Sequence, residues 1–174
     1  DAISMVQTAD GALVESTNML QRMRELAVQS VSETMSSTDR SALNTEYMAL
    51  AAELERIAQN TQWNGTDLLD NTPGSGGSVT FHVGANASQT VAVDFGDFTQ
   101  ASGSFANFYT GGSAGTTAAA IGGDKSLYDT DLSGNITTSY INTAIGVIDT
   151  AITAVNSQRA TFGAAINRLE YAAD

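Results

Sequence analysis

The chain has 174 residues, 42% of them apolar, with 19 acidic against 7 basic side chains and a formal net charge of -12. That length fits one domain around one core, and the charge excludes a general affinity for nucleic acid or an anionic membrane, since either needs a basic face. With no Cys and a single His, thiol nucleophiles, disulfides, iron–sulfur clusters and ordinary structural zinc sites are excluded too. No apolar run approaches the roughly 18 residues of a membrane span, and no basic-then-apolar leader opens the sequence. The chain starts at Asp1, inside a repeating pattern, and is expected to be a trimmed piece of something longer.

The first segment is helical. Ile3, Val6, Ala9, Leu13, Ser16, Leu20, Met23, Ala27 and Ser30 recur at spacings of three and four, the seam of a long amphipathic helix over 1–33. The Ser/Thr-rich stretch 32–38 interrupts it, because hydroxyl side chains compete for backbone hydrogen bonds and favour caps. A new N-cap is expected at Ser37 or Thr38. A second helix, 38–60, carries the seam Leu43, Tyr47, Leu50, Leu54 and Ile57, stepping by four and three. At 1.5 Å per residue the two helices are on the order of 50 and 30 Å long. They form an αα-hairpin that ends before the turn at Trp63-Asn-Gly65.

Residues 71–77 collect turn formers, and beyond them the period changes to two. Val79, Phe81 and Val83 oppose Thr80 and His82, and Val91, Val93 and Phe95 oppose Ala92 and Asp94. The expectation is a β-hairpin over 78–95 whose apolar face packs on the helices. From Phe98 to Gly123 no residue is charged and Gly, Ser, Thr and Ala dominate, a poorly specified surface segment. The last helix, 138–173, has the longest seam: Ile141, Ile145, Ile148, Ile152, Val155, Arg159, Phe162, Ile166, Leu169 and Ala173. The fold class is therefore mainly α with a small β part. It is an elongated bundle of long helices, two N-terminal and one C-terminal, with a packed β-hairpin and a short irregular segment. Such an arrangement stacks against neighbours and does not enclose a substrate.

Catalytic chemistry has little to build on. His82 falls on the polar side of a strand, where a solvated imidazole outweighs a catalytic base. Neither a metalloprotease, hydrolase, phosphate-loop nor dinucleotide motif occurs. The run Asp129-Thr-Asp131-Leu-Ser133-Gly134 resembles the start of a calcium loop, but Tyr140 stands where a bidentate Glu is needed. A turn ahead of the last helix is the favoured reading, and no cofactor is expected. Arg159 interrupts an apolar seam and must snorkel or pair, either within the bundle or with another copy. Arg22, Arg24, Arg40, Arg56, Arg159 and Arg168 all fall on the helices. In so acidic a chain they are candidates for pairing with acidic faces of neighbouring copies, with intramolecular i,i+4 pairs competing.

The segment Leu20-Gln-Arg-Met-Arg-Glu-Leu-Ala-Val-Gln-Ser30 resembles the bacterial flagellin family, specifically the first helix of its inner-shell domain. The resemblance extends through 7–13, 60–69, 81–86 and 158–170, about two-thirds of the chain. It implies a discontinuous core domain, 1–98 plus 138–174, with 99–137 as a short hypervariable segment. It implies an exported, extracellular subunit of the flagellar filament, with other flagellin subunits, an export chaperone and a cap protein as partners. Nucleic acid and membrane are not expected partners. The family's terminal polymerisation segments are expected to be missing, leaving a soluble monomer that polymerises poorly.

In many flagellins the same helix is read by an innate-immune Toll-like receptor. The resemblance carries that contact to Gln21, Arg22, Arg24, Glu25, Leu26 and Gln29, with a second region at Glu53 and Arg56 and a further arginine at Arg168. The competing reading is that these residues serve only subunit packing, and the two roles can also coexist on one surface. Ala52 falls where potent members carry an acidic residue, which implies reduced potency. The alternatives are a hook–filament junction protein, or a flagellin-like cell-surface module binding carbohydrate or ions.

Overall fold

The computed structural model describes residues 1–99 and 138–173. Helix α1, Ala2–Ser30, is the central element. It buries Met5, Val6, Ala9, Leu13, Ser16, Leu20, Met23, Leu26, Ala27 and Ser30, so eight of the nine seam positions read from sequence are core and Ile3 is half-buried. Met5 and Leu26 widen the stripe because α1 packs against two helices at once. The two seam serines satisfy themselves: Ser16 Oγ donates to the Ala12 carbonyl at 3.0 Å and Ser30 Oγ to the Ala27 carbonyl at 2.8 Å. A small hydroxyl can thus sit in a closely packed seam without an orphaned polar atom.

The helix stops at Ser30, three residues earlier than the hydropathy pattern suggests. The amides of Val31 and Ser32 fold back onto the Val28 and Gln29 carbonyls, tightening the last turn. The Arg40 guanidinium then takes two carbonyls that could have continued the ladder: Nε donates to Ser30 O at 2.9 Å and Nη2 to Ser32 O at 3.0 Å. Arg40 is only 8% exposed.

Helix α2, Ser37–Asn60, starts one residue before the expected boundary, and its N-cap is Ser36 rather than Ser37 or Thr38. The reason is a capping box. The Asp39 amide donates to Ser36 Oγ at 3.2 Å, and the Ser36 amide donates back to Asp39 Oδ2 at 3.1 Å. The Ser36 hydroxyl and amide both favour the ionised carboxylate and hold Asp39 below its ordinary value. The buried stripe of α2 is Arg40, Tyr47, Ala51, Leu54 and Ala58. Leu43, Leu50 and Ile57 flank it half-buried, so the seam is rotated toward the alanines relative to the sequence pattern.

After α2 a two-residue ribbon, β1 (Gln62–Trp63) with β2 (Thr66–Asp67), reverses the chain. Its turn needs two consecutive left-handed residues, supplied by Asn64 at φ 51° and Gly65 at φ 79°. Leu68 and Leu69 then plug the core. Strands β3 (Ser78–His82) and β4 (Thr90–Asp94) form the expected hairpin, antiparallel with Val79 opposite Val93 and Phe81 opposite Val91. Val91, Val93 and Phe95 are buried while Ala92 and Asp94 are exposed.

Helix α3, Thr138–Ala173, lies against the other side of α1 and carries the hairpin. The Phe95 and Phe162 rings meet with centroids 5.5 Å apart, and Gln158 Nε2 donates to the Asp94 carbonyl at 2.6 Å. The α3 core residues are Ile141, Ala144, Ile148, Ala151, Val155, Phe162, Ala165 and Leu169. Ile145, Ile152 and Ile166 are half-buried beside them, and Ala173 is exposed. Two ion pairs fix an antiparallel register between α1 and α3: Arg159 Nε to Asp10 Oδ1 at 2.9 Å and Arg24 Nε to Asp149 Oδ1 at 2.8 Å. Arg159 therefore pairs inside the chain. The calcium-like run 129–134 lies outside the described residues.

Candidate functional site: an interaction surface on the helices

A helix that buries one stripe on two neighbours leaves its remaining face to solvent, and on α1 that face holds most of the candidate contact residues. Gln21, Arg22, Arg24, Glu25 and Gln29 are exposed. Gln21, Arg24, Glu25 and Gln29 line a shallow groove together with Val28. Leu26 is not on this face. It has no exposed surface and belongs to the core, because position 26 falls beside Met23, Ala27 and Ser30 on the inward turn. It supports the surface from beneath.

Arg22 and Arg24 are two residues apart and so leave the helix on nearly opposite sides. Arg22 reaches α2: Nε bonds Glu46 Oε1 at 2.7 Å and Nη2 bonds Oε2 at 3.2 Å, with Glu25 Oε2 3.3 Å from Nη1. This forked pairing matches guanidinium to carboxylate geometry, and Glu46, then Glu25, raises the Arg22 pKa above its ordinary value. Arg24 reaches α3 through Asp149. Both are about half exposed, and exposed pairs of this kind serve mainly to orient the side chains.

Glu53 and Arg56 form a forked pair on α2 that holds the Glu53 carboxyl below its ordinary value. They border a second groove, with Ala12, Glu15 and Met19 of α1 and the end of α2. Ala52 beside them is exposed. Arg168 is exposed on α3, level with the start of α1, where Leu169 and Ile3 border the same depression. The candidate residues thus occupy three levels of one bundle: 21–29 at the far end, Glu53 and Arg56 in the middle, Arg168 near the first residue. The helix arginines are mostly committed within the chain. Arg22, Arg24, Arg56 and Arg159 pair with Glu46, Asp149, Glu53 and Asp10, and Arg40 is buried on backbone carbonyls. None of these five is an i,i+4 pair: Arg56 reaches a carboxylate three residues away on its own helix, and the others reach across to neighbouring helices or to the α1–α2 connection.

Two residues escape the sequence pattern. Val28 is 49% exposed, one of two exposed large hydrophobics among the described residues with Tyr171; its only signal is that it is an apolar residue off the seam. Arg40 reads as a surface arginine until the loop it grips is visible. His82 is exposed, and among the described residues no group of three or more His, Cys, Asp or Glu could hold a metal ion. No described helix is long and apolar enough to cross a membrane.

Residues 1–73 match the family described as the bacterial flagellin N-terminal helical region. Over 99% of its length the chain superposes on 84% of the flagellin of Bacillus cereus, with 30% identity and a TM-score of 0.74. The chain belongs to the bacterial flagellin family. It also superposes over 97% of its length on the whole of FliC from Burkholderia pseudomallei, at 27% identity and a TM-score of 0.67. By sequence, it is 38% identical to a flagellin of Halalkalibacterium halodurans over 98% of the chain and 53% of that protein. It is 36% identical to the flagellar filament 33 kDa core protein of Treponema phagedenis over 98% of the chain and 56% of that protein. The chain spans about half the length of these two curated relatives.

Proposed function

We propose that this flagellin chain is the core of a structural subunit of the bacterial flagellar filament, working outside the cell by self-association and not by catalysis. The observation that carries the reading is the bundle itself: α1 and α3 pack side by side through most of their length. Their outer faces are left for neighbours. The division into a core, 1–98 plus 138–174, and a short variable segment, 99–137, belongs to the same proposal, as do an export chaperone and a cap protein as partners. Electron microscopy of the full-length subunit tests it: helical filaments are expected, and a subunit that stays monomeric at every concentration and salt refutes it.

The exposed face of α1 is proposed as the surface read by an innate-immune Toll-like receptor, with Gln21, Arg22, Arg24, Glu25 and Gln29 as contacts and Leu26 as their support. Glu53, Arg56 and Arg168 extend it. The support for this reading is the groove around Val28 and the forked Arg22–Glu46 pair, which presents a pre-oriented guanidinium. Reporter cells should respond to the wild-type chain and less to Arg22→Ala. Leu26→Ala should lose both response and thermal stability. Equal responses to wild type and Arg22→Ala refute the receptor reading and leave the filament reading untouched.

A further inference from the structure

Among the described residues, Arg168 is the one arginine without an acidic or backbone partner in the chain. Glu15, on the rim of the α1–α2 groove, is likewise a carboxylate with no cation partner among them. The groove combines a carboxylate rim with apolar lining. Met19 and Ile57 line it and offer an apolar bed for an aliphatic stem. Asn60 and Thr61 border the groove at the C-terminal end of α2. The last turn of α2 carries no basic residue, and a cation beside that end is favoured by the helix dipole. Arg56 nearby is already neutralised by Glu53.

Within one molecule the two cannot meet. Leu169 sits beside Ile3, and Glu15 lies twelve residues further along α1, roughly 18 Å away along the axis. Arg168 also lies on α3, which packs on another side of α1 from the groove. We propose that the α1–α2 groove of one copy receives Arg168 from the α3 helix of a second copy, with Glu15 as its carboxylate partner. This rests on the filament reading and names one of its contacts. In a filament the contact is heterologous: each copy keeps a free groove and a free arginine for the next, so the contact repeats from copy to copy as a row.

The chain has no cysteine, so a cross-link within it is read from the introduced pair alone. Full-length subunits carrying Glu15→Cys and others carrying Arg168→Cys are mixed, assembled and oxidised, beside a control mixture of Glu15→Cys with Glu33→Cys, whose partner site lies in the α1–α2 connection. The mixed disulfide joining positions 15 and 168 is expected roughly tenfold faster than the control, as held proximity raises effective concentration. Separately, Glu15→Arg and Arg168→Glu should each slow filament growth, and the two changes together in one subunit should restore it. Filaments that form while this mixed disulfide appears no faster than the control overturn the contact and leave the filament reading standing. A double variant no better than either single one also overturns it. Full-length wild-type subunits that never assemble overturn both.

Discussion

Arg40 gives the sharpest test of how the bundle is held. Its guanidinium is buried and donates to two backbone carbonyls, Ser30 O at 2.9 Å and Ser32 O at 3.0 Å, capping the end of α1 from the first turn of α2. Hydrogen bonds to a charged group contribute about 1.5–3 kcal/mol each, and a cation at a helix C-terminus adds about 0.3–1 kcal/mol. Truncation to Ala admits water to the carbonyl of the exposed Ser32 but leaves the carbonyl of the fully buried Ser30 poorly served. A net loss of about 3 kcal/mol follows. For a chain of this size that is a fall of about 6–12 °C in Tm. Arg40→Met keeps the aliphatic stem and should lose nearly as much, while Arg40→Lys, with its compact ammonium in place of the fork, should recover about half. Urea unfolding followed by circular dichroism measures each. Arg40→Met within about 0.5 kcal/mol of wild type would show that the stem, and not the two bonds, matters.

Three further outcomes are expected. Tyr47 is fully buried with no partner for its hydroxyl, and that burial pushes its pKa well above the ordinary value; Tyr47→Phe should be neutral or up to about 1 kcal/mol stabilising, and a comparable loss in urea unfolding would reveal a bond to the hydroxyl. Ser36→Ala should cost about 1 kcal/mol. Because the folded Asp39 pKa is lowered, its contribution is complete above the ordinary value of 3.8 and disappears as pH falls through the lower folded value; Ser36→Ala should flatten the acid limb of stability below about pH 4, and an unchanged limb by calorimetry would remove the capping box from the account. Gly74 adopts φ +63°, and a Cβ there would lie 2.0 Å from the Ser78 carbonyl oxygen; Gly74→Ala should therefore cost about 3 kcal/mol or displace the 74–78 turn, seen as faster amide exchange across β3, and unchanged exchange would contradict the contact.

The parts of this fold legible in the sequence are those where one side chain answers to one periodicity. The α1 seam from Val6 to Ser30 is such a case, because it buries a fixed stripe, and the alternation in β4 is another. What is not legible depends on a partner distant in the chain. Nothing local marks Arg40 as an internal staple, since its acceptors are carbonyls eight and ten residues earlier. The α2 stripe runs through Ala51 and Ala58 instead of Leu50 and Ile57, because the rotation of α2 against its neighbour, and not the size of each side chain, decides which positions are buried. Leu26 reads as part of a contact motif yet faces the core, since a motif records which residues recur together and not which way each points. Arg22, Arg24 and Arg159 find carboxylates on neighbouring helices, a pairing that sequence spacing does not encode.

The antiparallel register of α1 and α3 sets how the chain bears load. Residues 1–3 and 169–173 lie together at one end of the bundle, and α1 runs about 44 Å from there to its last turn. Force that separates the two helices at that end opens the Ile3–Leu169 contact first, then Asp10–Arg159, then Arg24–Asp149, a peel that meets one contact at a time. Force that slides α1 lengthwise against α3 strains all of them together. The same seam is therefore weak to prying and strong to shear, and the direction of the pull decides which strength is felt.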